Sequence, residues 1–195
     1  MGEPQVERHP FEPFLPEGAK VLMLGSFPPQ PKRWSMEFYY PNFINDFWRI
    51  IGILFFDDRD RFVDIHAKKF KLQEIKEFCS EKGIAMFDTA TAVRRLKDNA
   101  SDKFLEVVEP TDIPALLRRI PLCEAVVVTG EKAAQTLCEA FGTEAPAVGD
   151  YSEFSFEGRN MRLYRMPSTS RAYPLPIQKK ADAYRRLFED LNIIT

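Results

Sequence analysis

Four apolar runs separated by stretches with helical spacing constrain the fold of this chain more than any other feature. KVLMLGS (20–26), GIAMFDTA (83–90), EAVVVTG (124–130) and NMRLYRMPS (160–168) read as strands. The first of these is apolar without alternation and bounded by glycine, as strands covered on both faces are. Residues 43–56 put Phe47, Ile50, Ile51 and Leu54 at helical spacing, and further helical patterns cover about 71–82, 112–119, 131–141 and 176–191. Strands that alternate with helices need crossover connections, which give a mostly parallel sheet with helices on both faces. The expected architecture is α/β: a three-layer α/β/α sandwich around a central four-stranded, mostly parallel sheet. The stretch VGDYSEFSFEGRNMRLYR (148–165) adds a candidate hairpin, with Gly158-Arg159 at its turn.

At 195 residues the chain is long enough for one substantial core and short for two. A single domain over 1–195 is expected, with residues 1–18 as a proline-rich leading segment laid over the surface. No apolar stretch approaches the ~18–20 residues that cross a bilayer, and the first thirty residues hold charge and proline instead of a basic-then-apolar signal. A cytoplasmic monomer with no membrane partner is the expectation. Cys79, Cys123 and Cys138 lie in separate apolar segments and form no CxxC pair, which argues against zinc, iron–sulfur and disulfide chemistry. A net charge of −2 excludes an all-over basic chain but not a local basic face. The pairs Arg94-Arg95, Arg118-Arg119, Lys179-Lys180 and Arg185-Arg186 read as solvated helix surface.

In open parallel sheets ligands bind beyond the carboxyl ends of the strands. The loops to consider are therefore GSFPP (25–29), DTATA (88–92), TGEKA (129–133) and PSTSRAY (167–173). The first has neither GxGxxG nor GK[ST], and its prolines remove N–H groups that would cradle a phosphate, so no nucleotide cofactor is expected. TGEKA opens a helix and reads either as a cap or as an anion site. The serines have no GxSxG context. Of the two histidines, His9 falls in the proline-rich segment and His66 in a charged helical stretch, so neither is placed in a nucleophile relay. No His/Glu/Asp cluster has metal spacing, and no metal is expected. After the first loop, FYYPNFINDFW (38–48) sets Asn42 and Asn45 among aromatic side chains; two amides there form either a turn and helix cap or part of a site.

Taken together, HPFEPFLPEGAKVLMLGSFP (9–28), FYYPNFINDFW (38–48), GIAMFDTATAVRR (83–95) and MPSTSRAYPLPIQKKADAYRRLF (166–188) resemble the uracil-DNA glycosylase superfamily, nearest to its hypoxanthine-DNA and mismatch-specific branches. These blocks cover most of the chain in family order, and the GSFP turn paired with the PSTS turn is the most specific conjunction. The resemblance implies the same sandwich and a monofunctional DNA glycosylase. Such an enzyme flips a deaminated base (hypoxanthine, uracil or xanthine) out of DNA and hydrolyses its bond to the sugar in base excision repair.

Breaking that bond develops positive charge on the sugar and negative charge on the base, so the site needs donors for the base and a water aimed at the anomeric carbon. The resemblance places Tyr40 where a ring stacks on the flipped base, with core packing as the alternative, and puts Ser26, Phe27 and Asn45 along the base-binding wall. In the mismatch-specific branch the water-positioning asparagine stands third in a G-x-N-P turn. Here the turn reads Gly25-Ser26-Phe27-Pro28, and Phe27 cannot hold water. The hypoxanthine branch relies on an asparagine in a YY-x-N segment, which matches Asn42, the catalytic candidate; Asn45 also suits a loop or cap role. Asp88, at the end of the second strand, is the carboxylate able to act as general base, and it is equally a possible helix cap.

On the DNA side, Ser168, Thr169 and Ser170 offer donors to phosphates and Arg171 adds charge, while Arg171, Tyr173 or Leu175 would wedge into the vacated stack. The simpler alternative is a turn leading into a helix that starts at Pro176. The asparagine missing at position 27 also fits a catalytically silent chain that binds nucleic acid on the same fold. A small-molecule hydrolase is the third reading.

Overall fold

The computed structural model describes residues 2–99 and 101–194. In chain order the elements are β1 (Val6–Arg8), β2 (Val21–Gly25), α1 (Phe47–Phe56), β3 (Val63–Asp64), β4 (Lys69–Phe70), α2 (Leu72–Lys82), β5 (Ile84–Asp88), β6 (Ala90–Arg95), β7 (Leu105–Pro110), α3 (Ile113–Arg119), β8 (Ala125–Thr129), α4 (Glu131–Phe141), β9 (Asp150–Phe156), β10 (Arg159–Met166) and α5 (Ile177–Asp190).

The central sheet runs β5-β2-β8-β10-β9. Its first four strands are parallel, and every residue of β2, β5 and β8 is buried, the consequence of helices covering both faces. The four expected strands are thus present in a three-layer α/β/α sandwich. The candidate hairpin supplies a fifth, antiparallel strand, β9. Its turn sits one residue earlier than the sequence indicated, at Glu157-Gly158, where both residues take the positive φ that a tight hairpin turn requires.

Helices α1, α2 and α5 pack through aromatic edges: Phe55 of α1 meets Phe78 of α2 and Phe188 of α5. Helix α4 lies against β8 and β7. Helix α2 stops at Gly83 (φ 71°), a left-handed cap that turns the chain directly into β5. Among the described residues no helix is long and apolar enough to cross a membrane.

A second sheet, β1-β6-β7, is antiparallel and has no counterpart in the sequence reading. It corrects two expectations. The leading segment does more than lie over the surface, because Val6–Arg8 pair with Ala92–Arg94 of β6 and Phe14 bridges Met86 at the outer edge of β5. Arg95 stands on a strand rather than a helix, nearly enclosed, donating to the Glu7 carboxylate and the Pro28 carbonyl. Lys180 is a third correction: it is buried on α5, 1% exposed, instead of solvated.

Candidate active-site cleft

Strand register aligns Gly25 with Asp88 and Thr129 with Met166, so the parallel strands end together along one edge. A cleft of about 1030 Å³ opens there. Its walls bring together Ser26, Phe27, Tyr40, Asn42, Asn45, Asp88, Ser168, Thr169, Ser170, Arg171 and Tyr173, residues that the sequence placed in separate segments. Of the three wedge candidates Leu175 falls outside the lining.

Asp88 stands at the end of β5 and is buried, 7% exposed. Its Oδ2 lies 2.7 Å from His9 Nε2. His9 Nδ1 lies 3.1 Å from the Phe11 backbone N and 3.0 Å from the Phe11 carbonyl oxygen, and Nε2 is the nitrogen that donates to Oδ2, because a carboxylate oxygen only accepts. Among the described residues no donor is bonded to Asp88 Oδ1. That oxygen packs against Gly25, where a Cβ would come within 2.7 Å of it and within 3.5 Å of the Tyr40 hydroxyl oxygen. Glycine is therefore what lets strand β2 lie beside this carboxylate.

The aromatic wall is Tyr40. It stacks on Phe47 and places its hydroxyl 2.5 Å from Thr129 Oγ1. Its φ of 53° is left-handed, a conformation that costs a non-glycine residue roughly 1–3 kcal/mol and persists where surrounding contacts enforce it. Burial drives the phenol well above its ordinary range; the Thr129 hydrogen bond opposes this, and Asp88 and Asp102 add to it. Tyr40 is accordingly a neutral ring with a fixed plane.

The segment carrying the two amides is pinned by its backbone: Ser35 N–H donates to Pro41 O and Asn45 N–H to Asn42 O, each at 2.8 Å. Asn42 is half-buried, and its Oδ1 accepts the Ile44 N–H at 3.2 Å. Its NH₂ group has no partner among the described residues, and the oxygen keeps a second lone pair. Asn45 lines the same wall and stands just before the Asp46 N-cap of α1, its Oδ1 accepting the N–H of Phe47, the first helical residue, at 2.9 Å.

Asp46, next along, ties this segment to the opposite wall. Its N–H donates to Thr169 O at 2.9 Å, and its carboxylate holds Arg171 and Lys180, each at 3.3 Å. Lys180 Nζ also donates to Ser170 O at 2.8 Å. Ser168 Oγ and Ser170 Oγ accept the N–H groups of Ser170 and Ala172, which leaves both hydroxyl hydrogens free to donate outward. Thr169 is buried, 3% exposed.

Phe27, assigned to the base-binding wall, packs chiefly elsewhere: with Ala90, Val93 and Leu105, and edge-on to the His9 ring. Sequence reasoning weighed His9 and kept it out of the site, and singled out none of Asp102, Lys103 and Lys132, although Lys132 falls in the TGEKA loop. The last three line the cleft. Asp102 is exposed as a residue, but its carboxyl is turned among the cleft walls, whose desolvation lifts it to about 6, the Ser26 hydroxyl opposing and Asp88 adding to the rise. Among the described residues neither Lys103 nor Lys132 is ion-paired; with Arg171, which Asp46 holds, they share the cleft lining with Asp88, Asp102 and Glu131, three basic side chains against three acidic ones.

No protein-family profile matches the chain, and no curated protein does. Among solved structures it is similar to a solution NMR structure from Methanosarcina acetivorans described as a "putative Uracil DNA glycosylase", with a TM-score of 0.61 and 21% sequence identity. The alignment covers 96% of this chain and 99% of that one. The likeness is one of fold, and it extends over the whole described sandwich.

Proposed function

We propose that the chain is a monofunctional DNA glycosylase that removes a deaminated base from DNA. The observation that carries this reading is the meeting of Tyr40 and Asn42, Asp88, and the 168–171 turn, from three separate segments, in one cleft at the carboxyl edge of the sheet. The fold likeness to the archaeal protein points the same way.

A cleft of this size admits an extruded nucleotide together with its flanking phosphates. In this reading the free hydroxyl hydrogens of Ser168 and Ser170, with Arg171, Lys132 and Lys103, take the phosphates. The Tyr40 ring stacks on the base, and the Asn42 NH₂ donates to its edge. The C1′–N bond then breaks with its electron pair leaving on the base. The oxygen of water bonds to C1′, and a water proton passes to Asp88 Oδ1 and from there to solvent. Asn42 Oδ1, through its remaining lone pair, aims that water. Lys180 is held by Asp46 and the Ser170 carbonyl instead of facing a sugar, so hydrolysis without strand cleavage is expected.

Phe27 supports a second reading. With no polar side chain at that position in the turn, a chain that binds nucleic acid without cleaving it is the alternative. A panel of single- and double-stranded oligonucleotides carrying uracil, hypoxanthine or xanthine, scored for both binding and base release, separates the two. Release from any of them supports the enzyme, and binding without release supports the silent module.

A further inference from the structure

We propose that His9 is a positioning residue for Asp88, fixing the carboxylate so that Oδ1 takes the proton of the attacking water; the inference rests on the glycosylase reading above. His9 reaches the site from strand β1, whose pairing with β6 continues through a His9 N–H to Thr91 O bond of 2.8 Å. The ring is clamped between Phe87, at 4.6 Å between centroids, and Phe27, at 5.3 Å. Its Nδ1 is held at the Phe11 backbone, 3.0 Å from the carbonyl oxygen and 3.1 Å from the nitrogen, so Nε2 is the nitrogen presented to Asp88.

The geometry is one-sided. Side-chain exposure is 4% for His9 and 10% for Asp88, so their contact is shielded from water and is no surface ion pair. His9 uses only Oδ2, and Oδ1 is left beside Gly25 and the Tyr40 hydroxyl. A carboxylate free to rotate about χ2 would present either oxygen, and the Nε2–H bond selects which one faces the cleft. The second oxygen is not among the buried unpartnered atoms, and Asp88 lines the cleft, so Oδ1 is the one a water in the cleft can reach. Phe27 gains a role here as well, because its ring edge walls the imidazole.

The test is single-turnover base release by the 195-residue chain acting on a duplex with one uracil or one hypoxanthine. The variants are His9→Ala, His9→Gln, Asp88→Asn and the His9→Ala/Asp88→Asn double, with duplex Kd and melting temperature measured in parallel. We expect His9→Ala to slow release on the order of 100-fold with Kd within about threefold of wild type, because only the proton-transfer geometry is lost. The double variant should be no slower than Asp88→Asn, since His9 acts through Asp88. His9→Gln, whose amide N–H has similar reach, should recover to within roughly tenfold of wild type.

His9→Ala release within about threefold of wild type, losses that multiply in the double variant, or His9→Gln as slow as His9→Ala would each overturn the assignment. If His9→Ala fails to fold, the comparison of His9→Gln with Asp88→Asn decides: a glutamine variant as slow as Asp88→Asn is the contrary result. An active wild type with an unaffected His9→Ala sinks this inference alone, whereas a wild type that releases no base sinks the glycosylase reading and this inference with it.

Discussion

The Tyr40 ring lies flat on Phe47, with centroids 4.0 Å apart and planes 11° from parallel, while its backbone is held left-handed at φ 53°. One face of the ring is thereby spent on the core, and the residue lines the cleft. Tyr40→Ala should lower kcat/KM by about 10- to 100-fold, in line with the roughly 1–3 kcal/mol of a base–aromatic stack. Tyr40→Phe keeps the plane and should retain most activity, while urea denaturation shows a stability loss of about 1 kcal/mol for the broken bond to Thr129.

Lys180 and Arg171 share the Asp46 carboxylate from unlike environments: Lys180 is buried and the Arg171 side chain is 46% exposed. Lys180→Met removes the enclosed partner and should cost about 3 kcal/mol in urea unfolding. Arg171→Ala should cost no more than about 1 kcal/mol. Its larger effect should be on duplex binding, where the salt slope falls by about one unit if the guanidinium contacts a phosphate.

Gly25→Ala tests how closely the first strand must approach the carboxylate. A Cβ at 2.7 Å from Asp88 Oδ1 forces that oxygen aside, and His9 restricts where it can go. We expect base release to fall on the order of 100-fold, with the far-ultraviolet circular dichroism unchanged.

Asp102 supplies the pH dependence. Its folded-state carboxyl is lifted to about 6, so between about pH 4 and 6 the unfolded chain loses this proton first, and the group lowers stability as pH rises through that window. The contribution returns as the pH falls again, and Asp102→Asn should flatten this part of the profile. Above pH 6 the ionised carboxylate sits among Lys103, Lys132 and the incoming phosphates, so Asp102→Asn should tighten duplex binding about threefold at pH 7.5 and leave it unchanged at pH 5. A carbon-13 titration of the Asp102 carboxyl reads the midpoint directly.

Periodicity made the sandwich legible. The helical patterns at 71–82, 131–141 and 176–191 fall within a residue or so of the observed bounds, because each buries a continuous apolar stripe. The small sheet was hidden because β1 is three residues long and largely exposed, so it carries no two-residue alternation to read. His9 was invisible for the same reason: its partner lies 79 residues away, and the contact exists only once β1 has paired with β6.

Lys180, by contrast, did have a signal. It falls in phase with Ala181, Tyr184, Leu187 and Phe188 on the buried stripe of α5, whereas its neighbour Lys179 does not. Of the two amides, Asn45 accepts the N–H of Phe47 at the start of α1 and Asn42 that of Ile44, and among the described residues neither NH₂ group is bonded, so both amides keep a donor at the cleft.

Release of a base by the 195-residue chain from duplexes carrying a single uracil or hypoxanthine, read as alkali-labile breaks, addresses the cleft most directly. Wild type should release at least one of these bases, and Asn42→Ala should do so on the order of 100-fold more slowly while still binding the duplex. Equal release by wild type and Asn42→Ala, or release of neither base by a wild type that binds both duplexes, would contradict the assignment.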